Sequence, residues 1–98
     1  MKKKTAFGHF IQAMDWTITR LSRETGISRP PLIAMETGKA DGMRFETMDR
    51  LCKVLELDVG TLIALINSPP TDYPDNRTRA FITRALLKQG SHPSGQAP

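Results

Sequence analysis

The sequence predicts an all-α fold, a five-helix bundle followed by a short C-terminal helical extension. Apolar residues recur at the three- and four-residue spacing of helices, and no stretch shows the strict alternation of a half-buried strand. Residues that can cap a helix recur ahead of these apolar stretches, and glycines follow several of them. The chain has 98 residues, of which 39% are apolar and 24% are charged. This size and composition suit one small domain.

The first two helices follow from spacing and capping. Helix 1 carries apolar residues at positions i, i+3, i+4 and i+7, namely Phe7, Phe10, Ile11 and Met14. This pattern predicts a helix of about ten residues that closes near Asp15. Thr17 can cap helix 2, with Trp16 and Leu21 placed to pack together as a hydrophobic staple. Gly26 can end that helix in the left-handed conformation.

Three more helices follow by the same signals. Helix 3 starts directly after Ile27 and Ser28 and stops at Gly38. One face of helix 4 is predicted to hold Phe45, Met48, Leu51, Cys52 and Leu55. Asp58 can cap helix 5, which should end near Asn67. The apolar residues of helix 5 are Leu62, Ile63, Leu65 and Ile66.

Composition divides the chain into segments. Residues 1–5 form a basic N-terminal arm and residues 6–67 the bundle, whereas residues 68–76 contain three prolines and predict a stiff linker. Residues 77–89 can form an amphipathic helix, and residues 90–98 are predicted to be disordered. Because an isolated helix of about 14 residues is marginal in water, this helix should dock on its own domain, on a second subunit or on another protein.

Helices 2 and 3, joined by a tight turn at Gly26 on a chain of net charge +4, form a helix-turn-helix arrangement. The run TITRLSRETGISRPPLIAMETGK, residues 17–39, resembles the Xre-like family of phage-repressor and Cro-type DNA-binding domains. The following FETMDRLCKVL, residues 45–55, is similar to the fourth helix of that family. The resemblance covers residues 6–66. It implies that helix 3 enters the major groove of double-stranded DNA while the starts of helices 2 and 3 approach phosphates.

The resemblance and the side-chain chemistry together predict the DNA-binding residues. Arg29 is the strong base reader near the start of helix 3, and it can pair with a guanine or hold a phosphate. The predicted DNA-binding set is Thr17, Ile18, Arg20, Ser28, Arg29, Pro30, Pro31, Ile33, Ala34, Thr37, Lys39 and Arg44. The basic residues expected to contact the DNA backbone are Lys2, Lys3, Lys4, Arg20, Arg23, Lys39 and Arg44.

Several positions depart from the family pattern. Ile18 stands where the family usually has a glutamine that contacts DNA. Pro30 and Pro31 lack the amides that Ser28 would cap, which predicts that helix 3 begins a residue or two late, with Arg29 on the turn.

Three further departures affect readout and capping. Ile33 and Ala34 replace polar side chains, so they either touch thymine methyl groups or leave helix 3 reading little sequence. Arg44 stands at the cap of helix 4, where its side chain cannot accept an amide hydrogen bond.

Other function classes are not supported by the sequence. A single cysteine, Cys52, excludes an internal disulfide and fits best as a buried core residue. No arrangement of catalytic side chains, metal ligands or phosphate-binding glycines is present, so we expect no enzyme, no cofactor and no metal. No apolar run approaches the roughly 20 residues of a membrane span, and we expect a cytoplasmic location.

These observations favour a DNA-binding transcriptional regulator, a repressor that binds an inverted-repeat operator as a homodimer. Its half-sites would lie about 34 Å apart, one turn of the double helix. The residues predicted for a dimer or partner interface are Leu65, Ile66, Phe81, Ile82, Ala85 and Leu86. Two alternatives stay open: an antitoxin whose C-terminal segment folds on a toxin, and a protein-interaction module that no longer reads bases.

Overall fold

The structure, a computed structural model, describes residues 3–40 and 42–90, with side chains up to residue 87. This part of the chain is all-helical, and its six helices are α1 (Ala6–Ala13), α2 (Ile18–Thr25), α3 (Arg29–Thr37), α4 (Phe45–Leu55), α5 (Val59–Asn67) and α6 (Asn76–Gly90). The predicted all-α class is confirmed. Lys2 of the predicted arm and residues 91–98 of the predicted tail lie outside the described residues, whereas Gly90 is the last residue of α6.

The predicted caps and turns are present. The side chain of Thr17 accepts a hydrogen bond from the amide of Arg20 at 3.1 Å, so it caps α2. Asp58 caps α5 through the amide of Thr61. Gly26 follows α2 with φ +76°, in the left-handed region where glycine carries no steric penalty.

Two predicted helix ends are corrected. Helix α3 begins at Arg29, so the predicted late start is wrong. Ser28 makes no side-chain cap bond, as expected, but the fixed φ of proline suits a first helical turn whose amides need no intrahelical partner. Helix α1 ends at Ala13, slightly earlier than predicted, and Asp15 then adopts φ +62°. Arg44 precedes α4 without a side-chain cap bond, as predicted.

Helix α1 lies at the centre of the packing and contacts α3, α5 and α6. The largest core side chains are Phe7, Phe10, Ile11, Leu21, Leu32, Met35, Leu51, Leu55, Leu62 and Leu65. Cys52 is buried with them, as predicted. Phe45 was predicted on the core face of α4 but is 71% exposed, because the first turn of that helix projects beyond the core.

Helix α6 docks on its own domain, against α1 and α5. Ile82 and Ala85 are buried and belong to the same core as α1, and Leu65 is fully buried. The prediction that these three residues form an interface with another chain is therefore wrong. Ile66, Phe81 and Leu86, the other residues predicted there, are only partly buried, and Leu87 beside them is exposed.

Residues 68–76, predicted as a linker, are bound along the domain surface. Thr71 and Lys4 exchange two backbone hydrogen bonds of 2.8 and 2.9 Å. The ring of His9 bonds to the carbonyl of Thr71 at 3.0 Å, and the hydroxyl of Ser68 accepts from the amide of Ala6. These bonds tie the segment to the N-terminal arm and to α1.

Thr5 connects the start of α1 to the end of α3. Its buried hydroxyl donates to the carbonyl of Met35 at 2.7 Å and accepts from the amide of Gly8. Its backbone amide donates to the carbonyl of Glu36 at 2.8 Å. Thr5 thus supplies hydrogen-bond partners to the first amides of α1 and to the last carbonyls of α3. These groups have no partners within their own helices.

Replacing Thr5 with valine should lower the free energy of unfolding by about 1–3 kcal/mol, because it removes the cap of α1 and leaves a buried carbonyl without its donor. Urea denaturation followed by circular dichroism measures this change. Thr83→Val, at an exposed position of α6, is the matched control and should stay within about 0.5 kcal/mol of the parent. Equal stabilities for the two variants would contradict the role of Thr5.

The stability of the first turn of α6 should depend on pH, because the side chain of Asp75 caps this helix. Its carboxylate accepts from the amide of Thr78 at 2.7 Å, and this bond holds the pKa of that carboxyl below its usual range. Because the pKa is lowered in the folded state, the stabilisation is complete above about pH 4, where an unfolded aspartate titrates, and is lost as pH falls through the lower folded value.

Hydrogen exchange from pH 6 to pH 3 measures this effect. Protection of the α6 amides should fall relative to that of α1 below about pH 4. Asp75→Asn keeps a capping oxygen without the charge and should show no such relative fall. The same relative fall in both proteins would exclude Asp75 as its source.

Candidate nucleic-acid interface

The turn between α2 and α3 is held by a chain of short-range hydrogen bonds. The hydroxyl of Ser22 donates to the carbonyl of Ile27 at 2.6 Å, and that of Thr25 donates to the carbonyl of Leu21 at 2.7 Å. The amide of Ile27 in turn donates to Thr25 Oγ1. With Gly26 in the left-handed conformation, these bonds fix α3 relative to α2. The arrangement is the helix-turn-helix that the sequence predicts.

The outward face of α3 borders an open depression. Five predicted DNA-binding residues line it together with one residue of the arm and one of the 68–76 segment: Pro30, Ile33, Ala34, Thr37 and Lys39, with Lys3 and Pro70. Ile33 is 45% exposed, and both lysines are exposed. The fold therefore places two cations beside an apolar strip of α3.

A second depression lies on the other side of Ala34, between α3 and the start of α4. Predicted DNA-binding residues in its lining are Ser28, Pro31, Ala34 and Arg44. Arg50, which is not among the predicted DNA-binding residues, also lines it and reaches close to Gly26. Its charge was visible in the sequence, but its position depends on how α4 crosses the turn. A third arginine thus joins Arg29 and Arg44 near α3.

The start of α2 presents another cation. The guanidinium of Arg20 lies over the ring of Trp16, 4.2 Å from its centroid, while the arginine stays exposed. A cation in this position is attracted by the face of the indole. Arg29 Nη1 lies 3.4 Å from Thr19 Oγ1, so the first residue of α3 leans toward α2. Ile18 instead packs partly against the core.

The two described lysines of the arm have different surroundings. Lys4 Nζ donates to Gln12 Oε1 at 2.8 Å and lies 3.7 Å from a carboxylate oxygen of Glu36. Lys4, predicted to bind DNA phosphate, is thus engaged within the chain and only partly exposed. Lys3 is exposed beside α3, and its contact with DNA phosphate stays a prediction.

The described residues hold no group of three or more side chains that could bind a metal ion. Burial, together with the nearby charges of Asp58 and Asp49, raises the pKa of the Cys52 thiol, so the thiol stays protonated at neutral pH. None of the helices described is both long and apolar enough to cross a membrane.

A second apolar surface was not selected from the sequence. Phe45 and Ile63 are exposed, and a small depression joins residues at the start of α4 to α5: Ala40, Gly42, Met43, Met48, Ile63, Ile66 and Asn67. Ile66, which was predicted at an interface, is one of these lining residues. Helical spacing could not separate Phe45 and Ile63 from the core, because both fit the apolar pattern of their helices.

Residues 8–68 match the family model of the Cro/C1-type HTH DNA-binding domain. The chain belongs to this family. A similar protein is YozG of Bacillus subtilis (strain 168), named as an uncharacterized HTH-type transcriptional regulator. It is 30% identical over 57 residues, which are 58% of this chain and 68% of YozG. No solved structure gives a significant match to the chain. The resemblance noted in the sequence is therefore confirmed.

The different surroundings of Lys3 and Lys4 predict different effects on stability. Lys4→Ala should lower the free energy of unfolding by about 0.5–1.5 kcal/mol, because Gln12 and Glu36 lose their partner. Lys3→Ala should change it by less than about 0.5 kcal/mol. Thermal denaturation of the two variants side by side measures the difference. A larger loss for Lys3→Ala would show that the arm is held in another way.

Proposed function

We propose that this protein is a transcriptional repressor that binds an inverted-repeat operator as a homodimer, with α3 in the major groove of each half-site. The observation that carries the proposal is the exposed face of α3, which is flanked by Lys3 and Lys39 and held rigidly to the rest of a Cro/C1-type domain. An exposed helix bordered by cations suits a groove bordered by phosphates. The naming of YozG as a transcriptional regulator adds support.

Arg29 is the base reader in this proposal. It is exposed at the first residue of α3, the part of a recognition helix that contacts base edges. Its fork of donors suits the two acceptors of a guanine in the major groove. Thr19, at 3.4 Å, lies near its guanidinium and can restrict where the side chain points.

Three further exposed cations contact the DNA backbone in this proposal. Arg20 approaches a phosphate from the start of α2, Lys39 from the end of α3, and Arg44 from the start of α4. Each is exposed, and the three come from separate places in the chain. Such contacts fix the position of the protein on the duplex and make its affinity depend on salt.

The docking of α6 favours a regulator over an antitoxin. An antitoxin segment that folds on a toxin needs an apolar face without a partner in the free protein. Here Ile82 and Ala85 fill the core of their own domain, and Thr78 is buried as well. The alternative of a module without base readout is disfavoured by the exposure of Arg29 at the start of α3.

The homodimer interface is proposed on the surface formed by Ile63, Ile66, Met43, Met48 and the neighbouring Phe45. Phe45 lies three residues before Met48, so the two share a face of α4. Exposed Phe45 and Ile63 are the kind of apolar side chains that association would cover. Neither Phe45 nor Ile63 lines either of the two depressions beside α3.

Selection of bound sequences from random duplex DNA, followed by gel-shift titration across salt, tests DNA binding. A dimer that neutralises about three or four phosphates per subunit should give log K against log[salt] a slope of about −5 to −7. Arg29→Ala should weaken specific binding by about 1–3 kcal/mol and relax one operator position. Arg84→Ala, an exposed arginine on α6, is the control and should bind as the parent does. The proposed function fails if no sequence is enriched and no specific shift occurs at any salt.

Light scattering tests the dimer and its location. Ile63→Glu should convert the dimer to a monomer, because a carboxylate would be buried without a partner. Leu87→Glu, at an exposed position of α6, is the matched control and should leave the mass unchanged. If Leu87→Glu alone produced monomers, the interface would lie on α6. A parent protein that stays monomeric even on the operator would exclude the dimer.

A further inference from the structure

The exposed strip of α3 has almost no hydrogen-bonding capacity. Pro30, Ile33 and Ala34 line one depression, and none of their side chains has a donor or an acceptor. Thr37, the polar residue of the same strip, donates its hydroxyl hydrogen to the carbonyl of Ile33 at 2.9 Å. The strip therefore cannot read base edges by donating hydrogen bonds, and its middle offers only apolar surface.

The surroundings of this strip indicate what covers it. Lys3 and Lys39 line the same depression and are exposed. A complementary partner carries negative charges at its rims and apolar groups between them. The major groove of DNA has this arrangement, because phosphates border it and the C5 methyl of thymine is the apolar group on its base edges.

We propose that Ile33, with Pro30 and Ala34 beside it, recognises thymine in the operator through the C5 methyl group alone. This inference rests on the proposed function, since it requires α3 to lie in the major groove. Ile33 is the principal specificity determinant of the strip, because its side chain is the largest of the three and is 45% exposed. At the contacted position, binding affinity should therefore depend on whether the pyrimidine carries a C5 methyl group and not on its base-pairing edge.

Replacement of thymine by deoxyuridine in the selected operator tests the proposal, because it removes the methyl group and keeps the base pair. At one or two positions of each half-site, the parent protein should lose affinity about fourfold per methyl removed. Ile33→Ala should bind the thymine duplex more weakly and should lose most of the difference between thymine and deoxyuridine. Val59→Ala, at an exposed apolar residue of α5 that has no assigned role in DNA binding or dimerisation, should keep the full difference.

A second series of duplexes separates the methyl group from the rest of the base. Changing the contacted T·A pair to C·G should weaken binding, and 5-methylcytosine at that position should recover affinity by about the same fourfold factor. Recovery by the methyl group in the parent, and its absence in Ile33→Ala, would support the proposal. Circular dichroism of Ile33→Ala checks that the variant is folded.

The outcomes distinguish this inference from the proposed function. Absence of any specific DNA binding would remove both. Specific binding with equal affinity for thymine and deoxyuridine at every position would overturn the methyl readout and leave the regulator in place. An undiminished deoxyuridine effect in folded Ile33→Ala would also overturn it, because the methyl group would then be read by another residue.

Discussion

The hydroxyl of Thr5 bonds to two helix ends, of which one lacks a hydrogen-bond donor and the other lacks an acceptor. It donates to the carbonyl of Met35 near the end of α3 and accepts from the amide of Gly8 in the first turn of α1. At Gly8 the two helices are so close that a Cβ atom would lie 2.8 Å from the Cγ of Glu36. Because α1 lies at the centre of the core, this junction anchors α3, the helix proposed to read DNA, to the core.

The same junction organises the chain segments around α3. Lys4 directly precedes Thr5 in the chain. Its side chain forms an ion pair with Glu36, and its backbone forms an antiparallel bridge with Thr71. Pro70 is thereby placed against Gly38, where a Cβ atom would lie 2.6 Å from its ring. The left-handed φ of +84° at Gly38 and this close approach both require glycine. The surface beside α3 is consequently built from three distant parts of the sequence.

Features that depend on neighbouring residues could be predicted from the sequence, and features that depend on distant contacts could not. Thr17, Asp58 and Gly26 act within one helical turn, so local patterns locate them. Phe45 fits the apolar stripe of α4, yet its exposure depends on how far the core extends under the first turn. Whether Ile82 meets α1 or another chain is likewise decided by packing across the sequence.

Trp16 gives the protein an optical reporter at the proposed DNA interface. It is the one tryptophan of the chain, and the guanidinium of Arg20 rests over its ring at 4.2 Å. A phosphate that draws Arg20 away would change the electric field at the indole without any direct contact between indole and nucleic acid. The intrinsic emission of the unlabelled protein can thus follow association in real time, and any quenching by the bases would be a separate signal.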